Sequence, residues 1–226
     1  IPSPHAHVQW LTLLEELIRR NGGADMYVYV QVTRGMEFGR NHAFPANVAP
    51  AVFAMAAPLP ALTPEQREKG LAAITVEDFR WGRCDIKTTA LLANVLMKQQ
   101  AAEAGAQEAI IVRNGEVLEG ASSSVFVVLS GAVITPPNSR SILPGTTRDA
   151  ALEIAEGVTP IRFRTISLDE LRAASEVWIA AATRDVVPVT TIDGRPVGEG
   201  KPGPVWSRMN SLFNEFRARL AGTRAM

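Results

Sequence analysis

Cysteine is almost absent from the chain, with Cys84 the only one in 226 residues, and histidine is limited to His5, His7 and His42. An intrachain disulfide is thereby excluded, a structural zinc site is disfavoured, and a reducing cytoplasm is the expected setting. Runs of like charge are missing as well. The 23 basic and 23 acidic residues cancel, which leaves no electrostatic footprint for nucleic acid or an anionic membrane and points to a small-molecule partner. Long apolar runs are also lacking. The longest, residues 43–62, is broken by Pro45, Pro50, Pro58 and Pro60, and nothing approaches the roughly 18–20 uninterrupted residues of a membrane helix. No basic segment followed by an apolar one reads as a signal peptide. Because the first residue is Ile1 rather than methionine, further residues are expected ahead of it.

What is present is an ordinary globular composition, 46% hydrophobic and 20% charged, in a chain long enough for one large domain or one domain plus a smaller piece. Leu11, Leu14, Leu17 and Ile18 recur at helical spacing within 8–20, and Asn21-Gly22-Gly23 supplies the stop. Residues 27–33 alternate, with Tyr27, Tyr29, Gln31 and Thr33 on one face and Val28, Val30 and Val32 on the other, as in a half-buried strand. The run 51–57 is the next expected strand. Prolines from Pro58 to Pro64 are expected to allow neither ladder nor helix, which places a domain boundary there. Beyond it, 72–81 reads as a strand and 86–104 as a long helix burying Leu91, Leu92, Val95 and Leu96, stopped by Gly105. Asn114-Gly115 predicts a hairpin between 109–112 and 116–118, because both residues tolerate positive φ. Ser130-Gly131 joins a second expected pair, 124–129 and 132–135. A helix over 147–156, a buried strand over 177–182 and a last amphipathic helix over 205–220 complete the pattern.

Four short stretches could carry chemistry. In Cys84-Asp85-Ile86-Lys87-Thr88-Thr89 the predicted helix puts Lys87 in its first turn. There the positive end of the dipole disfavours an ammonium and so favours a nucleophilic neutral amine, although a lysine near a helix start is ordinarily just solvated. Glu119 ends the predicted hairpin and is followed by Ser122, Ser123 and Ser124. A carboxylate beside hydroxyls can hold a protonated ring nitrogen and a phosphate, and it can equally be a serine-rich turn. Leu143-Pro144-Gly145-Thr146-Thr147-Arg148-Asp149 opens a helix, where amides bind anions and where a threonine more commonly caps. Arg40 and His42, two apart in extended chain, would face one side and suit a carboxylate, against the ordinary alternative of a solvated loop.

Taken in order, Tyr29-Val30-Gln31-Val32-Thr33-Arg34-Gly35, Arg40-Asn41-His42-Ala43-Phe44-Pro45, Val76-Glu77-Asp78-Phe79-Arg80-Trp81, Arg83-Cys84-Asp85-Ile86-Lys87, Glu119-Gly120-Ala121-Ser122-Ser123 and Gly145-Thr146-Thr147-Arg148-Asp149 resemble the fold-type-IV pyridoxal-phosphate aminotransferases. The D-amino-acid transaminases are the nearest group. The resemblance implies an α/β (α+β) fold of two domains, a truncated small N-terminal domain over 1–62 and a large cofactor-binding domain over 63–226. It implies pyridoxal 5′-phosphate as cofactor and homodimerisation. Lys87 then corresponds to the Schiff-base lysine, Glu119 to the partner of the pyridine nitrogen and Leu143 to the apolar residue against the ring. Ser122, Thr146 and Thr147 would meet the phosphate, and Tyr29, Arg40 and His42 the substrate. The family's opening segment, with a phosphate-binding arginine, has no counterpart here, and Ala181 and Ala182 stand where close relatives carry hydroxyls. The implied reaction transfers an amino group from a D-amino acid to a 2-oxo acid. Branched-chain L-amino-acid aminotransferases, amine transaminases and aminodeoxychorismate lyases share the fold, and a dimerising remnant without activity is the alternative outside enzymes.

Overall fold

The computed structural model describes residues 1–23, 25–39, 42–60, 62–156 and 159–223. Contacts divide the chain into two compact units, Ile1–Ala61 and Leu62–Met226. The first contains α1 (His7–Arg20), β1 (Met26–Thr33) and β2 (Ala51–Pro58). Helix α1 half-buries Leu14, Leu17 and Ile18, and it stops where the Asn21 and Gly23 amides turn back onto the Ile18 carbonyl. Strands β1 and β2 pair antiparallel in one unbroken register, Met26 opposite Pro58 and Thr33 opposite Ala51. Every described residue of this unit keeps some exposure, and none is buried.

The second unit is built on a ten-stranded sheet in the order β8-β7-β6-β10-β11-β3-β4-β5-β9, with β12 against β11. Its strands are β3 (Leu71–Glu77), β4 (Glu108–Arg113), β5 (Glu116–Gly120), β6 (Ser124–Leu129), β7 (Ala132–Thr135), β8 (Ile161–Phe163), β9 (Ile166–Ser167), β10 (Glu176–Ala181), β11 (Asp185–Ile192) and β12 (Arg195–Pro196). The helices are α2 (Pro64–Lys69), α3 (Leu92–Glu103), α4 (Thr146–Ala155), α5 (Leu168–Ala173) and α6 (Pro204–Thr223). Strand β3 lies between β11 and β4 and runs parallel to both. Asp193, just past β11, ties that junction by accepting from the Thr75 amide at 2.7 Å and the Thr75 hydroxyl at 2.8 Å.

Side chains alternate across the sheet. Val125 and Val127 of β6 therefore join Leu71, Ile110, Val177 and Ile179 in one apolar layer. Phe126 and Val128 point the other way, into a layer closed by α4 and α6 with Trp178, Met209 and Phe213. Met97 and Ala101 of α3 pack onto Val76, Ala109 and Ile111. Among the described residues no helix is long and apolar enough to cross a membrane.

Several sequence expectations are corrected. The proline-rich stretch does support structure at both ends, since Ala57 and Pro58 close the β1–β2 ladder. Pro64 opens α2, where a missing amide costs nothing and Thr63 caps by accepting from the Gln66 amide. Strand β3 stops at Glu77, four residues short of the expected end, because the Asp78 side chain accepts the Arg80 amide at 2.9 Å and turns the chain. Helix α3 begins at Leu92, not Ile86. Thr88 Oγ1 accepts the Ala90 amide at 3.4 Å, a local bond that competes with helix. Its buried face is also not the expected one: Leu91, Leu92, Val95 and Leu96 are 47–73% exposed, whereas Met97 and Ala101 are fully buried.

Candidate active site

Glu119 is near the end of β5 and is only 7% exposed. The strand turns directly after it, with the Gly120 amide donating to the Ser123 carbonyl at 2.7 Å. A side chain at Gly120 would collide with Ser123 Oγ. Both Glu119 oxygens are engaged: Oε1 accepts from Arg80 Nη1 at 2.5 Å and Oε2 from the Leu143 amide at 3.0 Å. Arg80 is held in turn by Asp78, through Nε to Oδ1 at 3.0 Å and Nη2 to Oδ2 at 3.1 Å, and by the Ser141 carbonyl at 3.0 Å. Arg113 reaches Asp78 Oδ2 at 2.7 Å and Ser141 Oγ at 3.1 Å. The result is an alternating chain, Arg113–Asp78–Arg80–Glu119, of zero net charge.

Burial pushes the Glu119 carboxyl above its ordinary value, a shift that the Arg80 guanidinium opposes. At Asp78 burial acts in the same upward direction, but hydrogen bonds and charge from Arg80, and charge from Arg113, outweigh it and hold the carboxyl below its ordinary value. Burial raises the neighbouring Cys84 thiol, which keeps it protonated and unreactive. Sequence reasoning assigns neither Arg80 nor Asp78 a role. The available signal is their spacing, since two residues apart just past a strand end lie on one side.

Beside Glu119, the exposed Ser122 hydroxyl donates to Glu108 Oε2 at 3.2 Å and the buried Ser123 hydroxyl does so at 3.1 Å. Glu108 is fully buried and also accepts from Lys98 Nζ at 3.0 Å. A hydroxyl carries one proton. With that proton directed to Glu108, the exposed Ser122 hydroxyl has only its lone pairs left for another partner.

Gly145 is the N-cap of α4 and no side chain caps it. Thr146 and Thr147 are therefore the first two helical residues rather than caps, and their amides belong to the turn that has no helical acceptors. The helix start abuts the serine turn, because a Cβ on Gly145 would lie 2.9 Å from Ser124 Oγ. Arg148 is buried and its guanidinium holds the preceding loop, donating to the Pro136 carbonyl at 2.7 Å and to Asn138 Oδ1 at 3.0 Å.

Lys87 is exposed and lies in the turn-rich segment ahead of α3, five residues before the helix. Lys87 therefore lies outside the first turn of α3, where the helix dipole would act on its amine. Among the described residues it has no hydrogen-bond or ion-pair partner, which leaves the amine accessible. Its segment is anchored by the Cys84 amide on the Arg140 carbonyl at 2.8 Å and by the Arg83–Asp85 ion pair at 2.9 Å. In the first unit, Tyr29 is exposed on β1 and its hydroxyl donates to Gln31 Oε1 at 2.9 Å. His42 is exposed at a bend. Arg40, and with it the expected Arg40/His42 pairing, lies outside the described residues. The structure thus gathers Glu119, Leu143, Ser122 and the α4 start. An open groove of about 420 Å³ lined by Glu153, Ile154, Leu212 and Phe216 contains none of them.

Residues 1–192 match the amino-transferase class IV family, and the chain belongs to that family. It is 42% identical over 213 residues to a D-alanine aminotransferase of Bacillus licheniformis, covering 93% of this chain and 74% of the relative. A D-alanine aminotransferase of Staphylococcus haemolyticus is 39% identical, with 91% and 73% covered. Among solved structures, the branched-chain amino acid aminotransferase of Escherichia coli superposes with a TM-score of 0.82 at 30% identity, over 93% of this chain and 71% of that one.

Proposed function

We propose that the chain transfers an amino group between a D-amino acid and a 2-oxo acid, of the D-alanine and 2-oxoglutarate type, with pyridoxal 5′-phosphate as cofactor. The observation that carries this is the pairing of a buried, hydrogen-bonded carboxylate at Glu119 with the uncapped start of α4 beside it. That donor set fits the cofactor, with an anion for a protonated ring nitrogen, helix amides for a phosphate, and at Lys87 a primary amine without a partner. The D-alanine aminotransferases at 42% and 39% identity support the substrate class.

Bound, pyridoxal phosphate supplies the electron sink that makes the proton on the substrate's α-carbon removable. Glu119 would hold the ring-nitrogen proton, its buried negative charge stabilising the protonated ring. The Lys87 amine would be the nucleophile that holds the cofactor and the base that carries the substrate's α-proton. Leu143 would lie against the ring, and Ser122, Thr146 and Thr147 would meet the phosphate. Arg40 and His42 would grip the substrate carboxylate, with Tyr29 in the same substrate pocket, completed across a homodimer in a reducing cytoplasm.

Borohydride reduction and peptide mapping should place the pyridoxyl label on Lys87; label on Lys69 or Lys98 would overturn the assignment. With 2-oxoglutarate as acceptor, D-alanine should outrun L-leucine. Removing the charge-assisted contact in Arg40→Ala costs on the order of 1.5–3 kcal/mol, a loss of about ten- to a hundredfold in kcat/KM for the amino acid. A preference for L-leucine would instead match the branched-chain activity named for the solved relative.

A further inference from the structure

Glu119 presents a conflict that the sequence does not reveal. Burial to 7% exposure favours the neutral form of a carboxyl, yet only the anion can stabilise a proton on a ring nitrogen. The surrounding bonds resolve it. Arg80 donates to Oε1, the Leu143 amide to Oε2, and about two further lone-pair directions on the carboxylate stay available. Arg80 is itself only 5% exposed, and it is fixed by a two-point contact to Asp78, whose side chain has no exposure at all. Asp78 is shared with Arg113. The charged and titratable groups around Glu119 are Arg80, Asp78, Arg113 and the Cys84 thiol.

We propose that Arg80 is a positioning residue, oriented by Asp78, that keeps the buried Glu119 carboxylate ionised and aimed so that it can hold a cofactor's ring-nitrogen proton. The role in cofactor chemistry rests on the function proposed above, whereas the ionisation of Glu119 is a property of the protein alone. Arg80 acts through charge as well as position. Lysine in its place should preserve the ionisation while losing the two-point grip on Asp78, whereas glutamine keeps hydrogen-bonding capacity and loses the charge.

The test has two arms. In the full chain without cofactor, the side-chain carboxyl carbons are labelled with ¹³C in glutamate, and Glu119 is assigned by its loss in Glu119→Gln. Titration should find Glu119 ionised at pH 7.5 in the unsubstituted protein. Arg80→Gln should move the midpoint up by roughly 1–3 pH units, the shift expected when an adjacent opposite charge is removed. Arg80→Lys should restore most of that shift. A protonated Glu119 at pH 7.5 in the unsubstituted protein overturns the proposal without any variant, and so does a midpoint equal in Arg80→Gln and Arg80→Lys.

In the second arm the protein is loaded with pyridoxal phosphate carrying ¹⁵N in the ring. The ring nitrogen should be protonated in the unsubstituted protein and in Arg80→Lys, and unprotonated in Arg80→Gln. If the first arm behaves as expected while the ring is unprotonated in the unsubstituted protein, the reading of Glu119 as the ring's partner fails and the electrostatic role of Arg80 on Glu119 stands.

Discussion

At the scale of single residues, the two carboxyls of the site respond to pH in opposite senses. The Asp78 carboxyl lies below its ordinary value of 3.8 because the cations around it outweigh its burial. Its stabilisation is therefore present above pH 3.8 and lost as pH falls through the lowered value. Glu119 lies above its ordinary value of 4.5, so its contribution is complete below 4.5 and declines as pH rises through the raised one. Of these two carboxyls, Asp78 is the one that makes the fold sensitive to acid. Asp78→Asn should cost on the order of 3–5 kcal/mol at pH 7, as breaking a buried pair does. Urea melts at decreasing pH should show that deficit shrinking below pH 3.8. A deficit that stays constant down to the acid limit would mean that Asp78 is not charged in the fold. This part of the site is legible only in outline. The serines after Glu119 make it a candidate ligand turn, but the partner that governs its charge is 39 positions away at Arg80, and no local pattern connects the two.

Elements are read best where the backbone leaves one solution. Asn114 and Gly115 have φ of 53° and 78°, and Ser130 and Gly131 have 50° and 75°, so both hairpins follow from turn chemistry alone. Where partners decide, periodicity falls short. It identifies the leucines of α3 as apolar, while contact with β3 and β4 goes to Met97 and Ala101. The strand β11 escapes the pattern because Pro188 lies inside it, a residue that normally argues against a central strand. The start of α6 is visible in the sequence, but not its clamp: Glu176 accepts the Val205 amide at 2.9 Å and the Trp206 amide at 2.8 Å. Losing both bonds at a half-buried helix terminus in Glu176→Ala should destabilise the fold by about 1–3 kcal/mol. A denaturant midpoint unchanged in that variant would show that water replaces the carboxylate without cost.

For the whole molecule, burial is unevenly shared. Among the described residues every buried hydrophobic one falls between Leu71 and Phe213, and the first unit has none buried. A segment of about 60 residues without a core does not offset its own conformational entropy. The fragment 62–226 is therefore expected to unfold cooperatively and to retain near-ultraviolet circular dichroism, whereas 1–61 alone should show neither. If the larger fragment melts without cooperativity, the division at Ala61 has no energetic meaning. Composition conveys the globular character and small-molecule bias of the whole, but the distribution of the core depends on long-range strand pairing that composition does not encode.

The placement of β3 also bears on how the protein is made. Its flanking strand β11 is anchored through Asp193, which binds Thr75 across 118 positions of sequence. At a synthesis rate of roughly 5–20 residues per second, the ribosome needs about 6–24 s to deliver Asp193 after Thr75 has been added. For that interval the apolar Leu71–Glu77 segment has an unpaired edge while still attached to the translation machinery. It is the part of the nascent chain where holding by a chaperone, or association with a neighbouring chain on the same message, competes with correct completion of the sheet.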